Sequence, residues 1–412
     1  MRKLTLLIPL VASGAIACGS TEVINPKSGT GAGAGAGPAT SSSAAGGDAS
    51  SGDTGGSGGG EPQPIPYPAP HPSMPEIPKH GGSVLHDPVI VTVTFPGDPL
   101  EGYLQTFDDA IGQTPWWTAA NGEYGVGAAT GGAHVVLTEP APDTITDSGI
   151  RQWLAAKVVD GTLPEPTDQT IFALYYPSST TITLDVAGGG VSCNDFGAYH
   201  FNTNVTTATN TKVNTAYAVM PRCGGGQEEL TVSASHEFAE AATDPHPGSS
   251  LAYVLTTDGA WNPAGGETAD MCEFVSGVQE GDYYVTRVWS NKNAKIGQQP
   301  CVPVPPDPAN LPYYNAGIVN EELDASPGDT VTTDVDCYSF DKLPNPITLE
   351  AQSFSGTLQF EFDPPTCENG TVVKMSIHVA PTAKSGHDYH YRLLSTLNAD
   401  SQHLWRGMVS VK

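Results

Sequence analysis

The sequence has little positive charge. Its 412 residues include 17 lysines and arginines against 44 aspartates and glutamates, which gives a formal net charge of −27. Phosphate backbones and anionic headgroups would be repelled by such a chain, which argues against nucleic acid and an anionic membrane surface as partners. The acidic residues are scattered rather than gathered in a tail, so we attribute the excess to a soluble exported surface.

Long hydrophobic runs are also missing, and no segment is apolar enough to stay in a bilayer as a helix. The N-terminus has only a short apolar run, Leu4–Val11, after two basic residues, which is the layout of a signal peptide. Small residues then precede Cys18, as in a bacterial lipoprotein signal, where this cysteine becomes the lipidated first residue. We therefore expect residues 1–18 to be a lipoprotein signal peptide and the protein to reach the outer membrane or cell surface. The alternative is an ordinary secretory signal with a chance cysteine.

No C-x-x-C pair occurs, which argues against a zinc site made of thiolates. Setting Cys18 aside from the seven cysteines leaves an even number, and in an exported chain this predicts three disulfides. Six cysteines allow 15 pairings. We favour sequential pairing, because each bond then closes a local loop inside one domain. The expected pairs are Cys193 with Cys223, Cys272 with Cys301, and Cys337 with Cys367.

Large apolar side chains are almost absent from residues 19–60, which are mainly Gly, Ala, Ser and Thr. Such a stretch has nothing to bury and predicts a flexible tether. Residues 61–80 become proline-rich, which favours a stiffer polyproline II spacer. Residues 19–80 are therefore predicted to be a disordered tether that lifts the folded part off a lipid surface. A specific partner for the proline-rich part is the alternative.

Residues 81–305 mix strand and helix patterns, which predicts an α+β or α/β layered domain with a mixed sheet. The β-branched run Val89–Phe95 predicts a buried strand. The other predicted strands are His134–Leu137, Thr170–Tyr176, Thr181–Val186, Thr215–Met220 and Tyr283–Trp289. Helices are predicted at Asp98–Gly112, at Trp116-Trp117, from a cap at Ser148 to Gly161, and around His236.

Residues 306–412 alternate short β patterns with turn residues. Strands at this spacing predict an immunoglobulin-like β-sandwich, which we interpret as an accessory binding or spacer domain. The predicted strands are Thr330–Asp336, Ile347–Ala351, Thr357–Phe362, Val372–Val379, Tyr389–Ser395 and Trp405–Val411.

The stretch Ser233–Pro245 has a pattern suited to catalysis. Ala, Glu and Phe favour a helix here, and Pro245 predicts where it stops. His236 and Glu240 are four residues apart, so both project from one face of that helix. An imidazole and a carboxylate one turn apart can hold a divalent ion, as in the H-E-x-x-H metallohydrolase helix, with Glu in place of the second His. We predict metal ligands at His236 and Glu240, and Glu237 as the general base that activates a bound water.

A third metal ligand has to come from outside the helix. In thermolysin-like enzymes it is a glutamate on a later segment, which makes Glu267 the leading candidate. Asp270 would orient His236, while Asp244 and His200 are rival ligands. This donor set suits zinc, with manganese or calcium as alternatives. The opposing interpretation is a hydrogen-bonded cluster that holds no metal.

An ordered series of motifs across about residues 85–301 resembles the plant EXORDIUM / phosphate-induced protein family and its bacterial relatives. The matching residues are Val89–Phe95, Trp116-Trp117, Glu123-Tyr124-Gly125, Cys193, Tyr199-His200, Tyr217-Ala218-Val219, Cys223, His236-Glu237, Glu240-Ala241, Thr243-Asp244-Pro245, Glu267, Asp270 and Cys272.

This resemblance implies an extracellular protein. Members that keep the His-Glu pair and the later Glu and Asp resemble gluzincin-type metallopeptidases, which implies a zincin-like fold. The chain departs from gluzincins at Glu240, where histidine is expected. We predict a surface-anchored metal-dependent hydrolase, best described as a zinc metallopeptidase acting on a peptide or protein. The alternative is a non-catalytic envelope protein that binds wall polysaccharide or a surface partner.

Overall fold

The computed structural model describes residues 64–185, 190–224, 226–256, 265–273, 275, 277–296, 298–303, 312–353, 356–398 and 401–412. The expected signal peptide, Cys18 and most of the expected tether lie outside the described residues. The expected domain boundary at residues 305 and 306 lies outside them too.

The first domain is built on a five-stranded sheet and a smaller three-stranded one. Their strands are β1 (Val89–Thr94), β2 (Thr130–Val136), β3 (Thr144–Thr146), β4 (Thr170–Tyr176), β5 (Thr181–Leu184), β6 (Gly190–Val191), β7 (Tyr199–Thr206) and β8 (Lys212–Pro221). The sheet orders are β2-β1-β4-β8-β7 and β3-β5-β6. In the larger sheet β2, β1, β4 and β8 run parallel, and β7 pairs antiparallel with β8 at the edge. The predicted mixed sheet is confirmed.

Helices cover both faces of the larger sheet. The helices are α1 (Glu101–Ile111), α2 (Pro115–Asn121), α3 (Asp147–Val159), α4 (Gln227–Thr243) and α5 (Asn291–Lys295). Alternate side chains of β4 point to opposite faces, so Ala173 lies in one core and Phe172 in the other. The first core includes Phe107 of α1 and Phe238 of α4. The second includes Leu154 of α3.

Helix α3 begins one residue earlier than its predicted cap. Thr146 has an extended backbone at the end of β3, and its side chain accepts a hydrogen bond from the Gly149 N–H at 3.1 Å. Ser148 is therefore inside the helix, and its hydroxyl and N–H both bond to Asp185. The prediction of Ser148 as the cap was wrong, because Thr146 occupies the last non-helical position.

Strand β7 was not predicted, although it carries His200. It pairs with β8 along its whole length, with His200 opposite Ala218. The predicted strand at Tyr283–Trp289 is divided by a break. The small strands in this region are β9 (Val278–Glu280), β10 (Tyr283–Val285), β11 (Val288–Trp289) and β12 (Cys301–Val302), paired as β10-β9 and β11-β12.

The second domain is a β-sandwich, as predicted. Its strands are β13 (Tyr314–Ile318), β14 (Glu322–Ala325), β15 (Thr330–Ser339), β16 (Ile347–Ser353), β17 (Leu358–Asp363), β18 (Thr366–Cys367), β19 (Val372–Val379), β20 (His387–Asn398) and β21 (Ser401–Val411). The sheets have the orders β13-β15-β19-β17 and β14-β21-β20-β16-β18. Side chains from both sheets, such as Met375 and Trp405, share one buried core.

Residues 64–80, here called the N-terminal segment, depart from the predicted disordered tether. Ala69 and Ile77 are buried. The side chain of Asn291 bonds both the N–H and the C=O of Ile77, at 2.7 and 2.8 Å. The ring of His71 stacks on Tyr338 of the sandwich, with the centroids 4.5 Å apart. The segment is packed because it has apolar residues to bury and side-chain partners for its backbone.

All three predicted disulfides are present, as Cys193–Cys223, Cys272–Cys301 and Cys337–Cys367. Each closes a loop inside one domain. Because such bonds persist in oxidising compartments, they support an extracellular or cell-surface protein. Among the described residues, no helix is long and apolar enough to cross a membrane.

Candidate metal centre

Helix α4 brings the predicted catalytic residues into the interior of the first domain. Its apolar stripe, formed by Leu230, Ala234 and Ala241, is buried in the core. The helix ends at Thr243, where the N–H of Asp244 bonds back to the Glu240 carbonyl at 2.6 Å before Pro245. The polar face of α4 is also buried, because β7 and the segment around residues 265–273 cover it.

Six side chains meet on that face and are here called the acid–histidine cluster. Their burial is deep. His236, Glu237, Glu240 and Asp270 are 3%, 2%, 2% and 5% exposed, and the Glu267 side chain is 20% exposed. The cluster consists of His200 from β7, His236, Glu237 and Glu240 from α4, and Glu267 and Asp270 from the later segment.

Glu240 lies between the two imidazoles. Its Oε1 is 3.1 Å from His236 Nε2 and accepts the Asp270 N–H at 3.0 Å. Its other oxygen, Oε2, is 3.5 Å from His200 Nδ1. The carboxylate that replaces the second histidine of an H-E-x-x-H helix therefore faces one imidazole with each oxygen.

His200 contacts carboxylates through both ring nitrogens. Its Nδ1 is 3.4 Å from Glu237 Oε2, and its Nε2 is 3.4 Å from Glu267 Oε1. Nε2 also lies 3.2 Å from the backbone carbonyl of Asp244. From the sequence, His200 was only a rival candidate for the third metal ligand. Its position next to α4 depends on the pairing of β7 with β8, which was not predicted.

The predicted ligands do not form one set of three. The residues that could share an ion fall into two overlapping groups, His200 with Glu240 and Glu267, and His236 with Glu237 and Glu240. Glu267 thus belongs with His200 rather than with His236. Asp270 lies beside His236, as predicted, with 3.4 Å between Oδ1 and Nε2.

The rival ligand Asp244 is in neither group. Its Oδ1 accepts the Ala252 N–H at 2.8 Å. Burial raises the pKa of Asp244 to about 6. Its contact with the cluster is through its backbone carbonyl to His200.

The geometry of the cluster fits a divalent cation. Charge-assisted N–H···O bonds are about 2.7–2.9 Å long, whereas four of the imidazole–carboxylate distances here are 3.4–3.5 Å. Two ligands that each lie about 2.1 Å from a tetrahedral ion are separated by about 3.4 Å. Glu267 Oε1 is also buried without a hydrogen-bond partner. Imidazole and carboxylate donors together suit zinc or manganese.

The pKa values of the cluster show how strongly its members interact. Burial lowers the pKa of both His200 and His236, but the surrounding carboxylates outweigh it and raise both values well above the usual range. Burial would raise the pKa of Glu240, but the two histidines hold it below its usual range. Burial raises the pKa of Glu237, Glu267 and Asp270.

Glu273 is a neighbour of the cluster that the sequence analysis missed. Both of its carboxylate oxygens are buried without a hydrogen-bond partner. Burial, and then the charge of Asp270, raise its pKa well above the usual range, with smaller effects from His236 and Glu240. Its spacing could have indicated this position. Glu273 comes three residues after Asp270, and on a 3-10 turn residues three apart project from the same side.

No known protein family matches the chain, and no curated protein matches it either. Several solved structures do. Domains 4 and 5 of the S-layer protein SbsC are 9% identical with a TM-score of 0.19, covering 24% of this chain and 53% of that one. A family 123 glycoside hydrolase from Clostridium perfringens is 11% identical with a TM-score of 0.19, covering 24% and 27%. Dpr2 Ig1-Ig2, solved in complex with DIP-Theta, is 8% identical with a TM-score of 0.18, covering 60% and 63%. These TM-scores are too low to support an argument about fold or function.

Proposed function

We propose that the protein is a divalent-metal-dependent hydrolase that cleaves peptide bonds. The observation that carries this proposal is the convergence of two imidazoles and four carboxylates on the buried polar face of α4. Ion-sized separations between these groups support a metal rather than a set of direct hydrogen bonds. Zinc is the first candidate, with manganese and calcium as alternatives.

A zincin-like architecture is part of this proposal. It is supported by a mainly parallel sheet with an antiparallel edge strand, followed by the helix that carries His236-Glu237 and by the later Glu267. These elements occur in the order that the resemblance to the EXORDIUM family implies. That family assignment, with its gluzincin-like ligands, stays a prediction.

The proposed roles follow from the contacts. Glu240 would hold the metal with His200 and Glu267 on one side or with His236 on the other. When bound, the metal would supply Lewis-acid chemistry by polarising a carbonyl and lowering the pKa of a water. Glu237 accepts the proton of the attacking water on its carboxylate and passes it to the leaving amine. Burial raises the pKa of Glu237 above its usual range, which makes its carboxylate a stronger base. The backbone N–H of Asp270 bonds Glu240 Oε1 and fixes that carboxylate.

The edge position of β7 supports a peptide as substrate. β7 is the outermost strand of the sheet, and it brings His200 to the cluster. An extended peptide can add to the edge of a sheet through main-chain hydrogen bonds. A peptide bound in this way would pass beside the proposed metal.

The protein would act at the outer membrane or cell surface, anchored by a lipid on Cys18. Support comes from the signal-like N-terminus and from the three disulfides, which suit an exported protein. Lipidation is tested by labelling expressing cells with a radioactive fatty acid. Label in the wild type and none in Cys18→Ser would support it.

Glu237→Gln tests the proposed mechanism, because it keeps the size of the side chain but removes the base. We expect hydrolysis of a peptide library to fall about 10²–10⁴-fold, with unchanged metal content. Glu228→Gln is the matched control, since Glu228 is exposed on the first turn of the same helix. Full activity in Glu237→Gln would contradict the mechanism.

The deep burial of the cluster favours a second candidate, a non-catalytic envelope protein that binds wall polysaccharide or a surface partner. In that case the cluster only stabilises the first domain. Binding to purified wall glycan that survives a chelator, in a protein without hydrolytic activity, would favour this candidate.

A further inference from the structure

We propose that the acid–histidine cluster holds two divalent cations bridged by the carboxylate of Glu240. This inference rests on the proposed metal-dependent function and extends it from one ion to a pair. Two-metal sites typically hold their ions about 3.5–4 Å apart, and a shared carboxylate is a common way to reach that spacing.

The bridging role follows from the two sides of Glu240. Oε1 faces His236 Nε2 at 3.1 Å, and Oε2 faces His200 Nδ1 at 3.5 Å. A single ion between His236 and Oε1 would leave His200 and Oε2 without an ion, and a single ion between His200 and Oε2 would leave His236 and Oε1 without one. The two candidate ligand groups overlap at Glu240, which also indicates that Glu240 is the bridging residue.

Each ion would then have one imidazole and one carboxylate of its own. For the first ion these are His200 and Glu267, whose ligand atoms lie within 4.8 Å of each other and of a Glu240 oxygen. The structure groups His236 with Glu237 and Glu240, and we assign Asp270, whose Oδ1 is 3.4 Å from His236 Nε2, to the second ion in place of Glu237. Glu237 is left to act as the base.

Glu273 is a further acidic group beside the cluster. Both of its oxygens are buried without a hydrogen-bond partner, and it interacts electrostatically with Asp270 and His236 and with Arg392 of the sandwich. A buried carboxylate without hydrogen bonds is costly unless a cation compensates it.

Metal stoichiometry of the full chain tests the proposal directly. The protein is equilibrated with zinc or with manganese, freed of excess ion, and analysed by mass spectrometry of the metal. We expect two ions per chain in the wild type. One ion per chain at saturation would overturn the bridge without any variant being made.

Single variants test which residues hold which ion. His200→Ala and His236→Ala are each expected to retain one ion, whereas Glu240→Ala is expected to lose at least one. His246→Ala is the matched control, because this half-buried histidine bonds the Asn214 carbonyl and is not in the cluster. It should keep both ions.

Electron paramagnetic resonance of the manganese-loaded protein gives a second readout, which does not depend on hydrolysis. The wild type should show an exchange-coupled pair, and His200→Ala an isolated ion. An isolated-ion spectrum in the wild type would contradict the bridge.

The two proposals can fail separately. Two bound ions without hydrolysis would leave the bridged pair standing and remove the hydrolase. If the protein bound one ion and hydrolysed peptides, and Glu237→Gln abolished that hydrolysis, the hydrolase would stand and the bridged pair would be removed. No bound zinc or manganese would overturn both.

Discussion

At the scale of single residues, Asp108 gives the first domain a pH dependence separate from the metal cluster. It is 1% exposed between α1 and the central sheet. Its Oδ2 accepts a hydrogen bond from Thr92 and its Oδ1 accepts one from Tyr175, both at 2.7 Å. Burial nevertheless raises its pKa to about 7. The protonated carboxyl is therefore the form that the folded state prefers up to neutral pH.

Asp108→Asn should remove this pH dependence. Because the folded pKa lies above the unfolded value of about 3.9, the stabilisation is fully present below pH 4 and is lost as the pH rises towards 7. The wild type should lose up to about 1.4 kcal/mol of unfolding free energy per pH unit in this window through Asp108. Urea unfolding between pH 4 and pH 8 measures the slope.

The comparison variant for Asp108→Asn is Asp109→Asn, which changes the neighbouring residue on the exposed side of α1. It should keep most of the wild-type slope, because the charge of Asp109 is the smallest of the contributions to the pKa of Asp108. Equal slopes in the wild type and in Asp108→Asn would show that Asp108 does not titrate in this range.

The residues on α4 could be predicted from the sequence, but the residue facing them could not. Helical spacing alone places His236 and Glu240 on one face, because positions four apart are neighbours in any α-helix. His200 reaches the same face only through the pairing of β7 with β8. Such long-range pairing leaves no fixed spacing in the sequence, and this is why the sequence analysis ranked His200 only as a rival ligand.

At the scale of elements, the three disulfides close loops of nearly equal length in different surroundings. The sequence separations are 30, 29 and 30 residues. Cys272 ends the 3-10 turn that carries Asp270. Cys337–Cys367 instead joins β15 to β18 in the sandwich, far along the chain from the cluster. Their contributions to stability should therefore be similar, and their effects on the metal centre should differ.

Paired serine substitutions test this expectation. Chain entropy predicts that each lost disulfide costs about 3–4 kcal/mol of unfolding free energy in its own domain. Loss of Cys272–Cys301 should also weaken zinc binding at least about tenfold, because outer contacts of metal ligands typically contribute 10–100-fold. Zinc affinity is measured by competition with a coloured chelator.

The Cys337→Ser and Cys367→Ser pair is the control, with a loop of nearly the same length and no contact with the cluster. Its zinc affinity should equal that of the wild type. Equal weakening in both pairs would mean that general destabilisation, not the turn at Asp270, controls the site.

Predictions of elements succeeded where the pattern is local. The strands β1 and β4 and the helix α4 were predicted, because each pattern is complete within one segment. β7 mixes histidine, asparagine and threonine with its apolar residues, so its own sequence is weakly strand-like. It is a strand because β8 supplies a complete row of hydrogen-bond partners.

At the scale of the whole molecule, the N-terminal segment contacts both domains. In the first domain, Asn291 bonds the backbone of Ile77, and the Trp289 indole N–H donates to the Pro75 carbonyl at 3.2 Å. In the sandwich, Asn369 accepts the Ala69 N–H and donates to the Pro66 carbonyl, both at 2.8 Å. Composition alone predicted a spacer, because proline-rich stretches usually lack such partners.

Removing this segment should destabilise both domains. A chain that begins at residue 81 loses the buried Ala69 and Ile77 side chains and leaves Asn291 and Asn369 without these partners. A hydrogen bond contributes about 0.5–1.5 kcal/mol to stability, so each domain should unfold at a lower temperature than in a chain that begins at residue 64. Scanning calorimetry of the two chains measures the shift in each transition.

Two single variants assign the effect to each end of the segment. Asn291→Ala should lower the transition of the first domain and speed amide exchange at Ile77, whereas Asn369→Ala should lower the transition of the sandwich and speed exchange at Ala69. A chain that begins at residue 19 is the control, and it should match the chain that begins at residue 64, because residues 19–60 have almost no large apolar side chains to bury. If the chain that begins at residue 81 kept both transitions unchanged, the N-terminal segment would be a spacer after all, and the two domains would be held together without it.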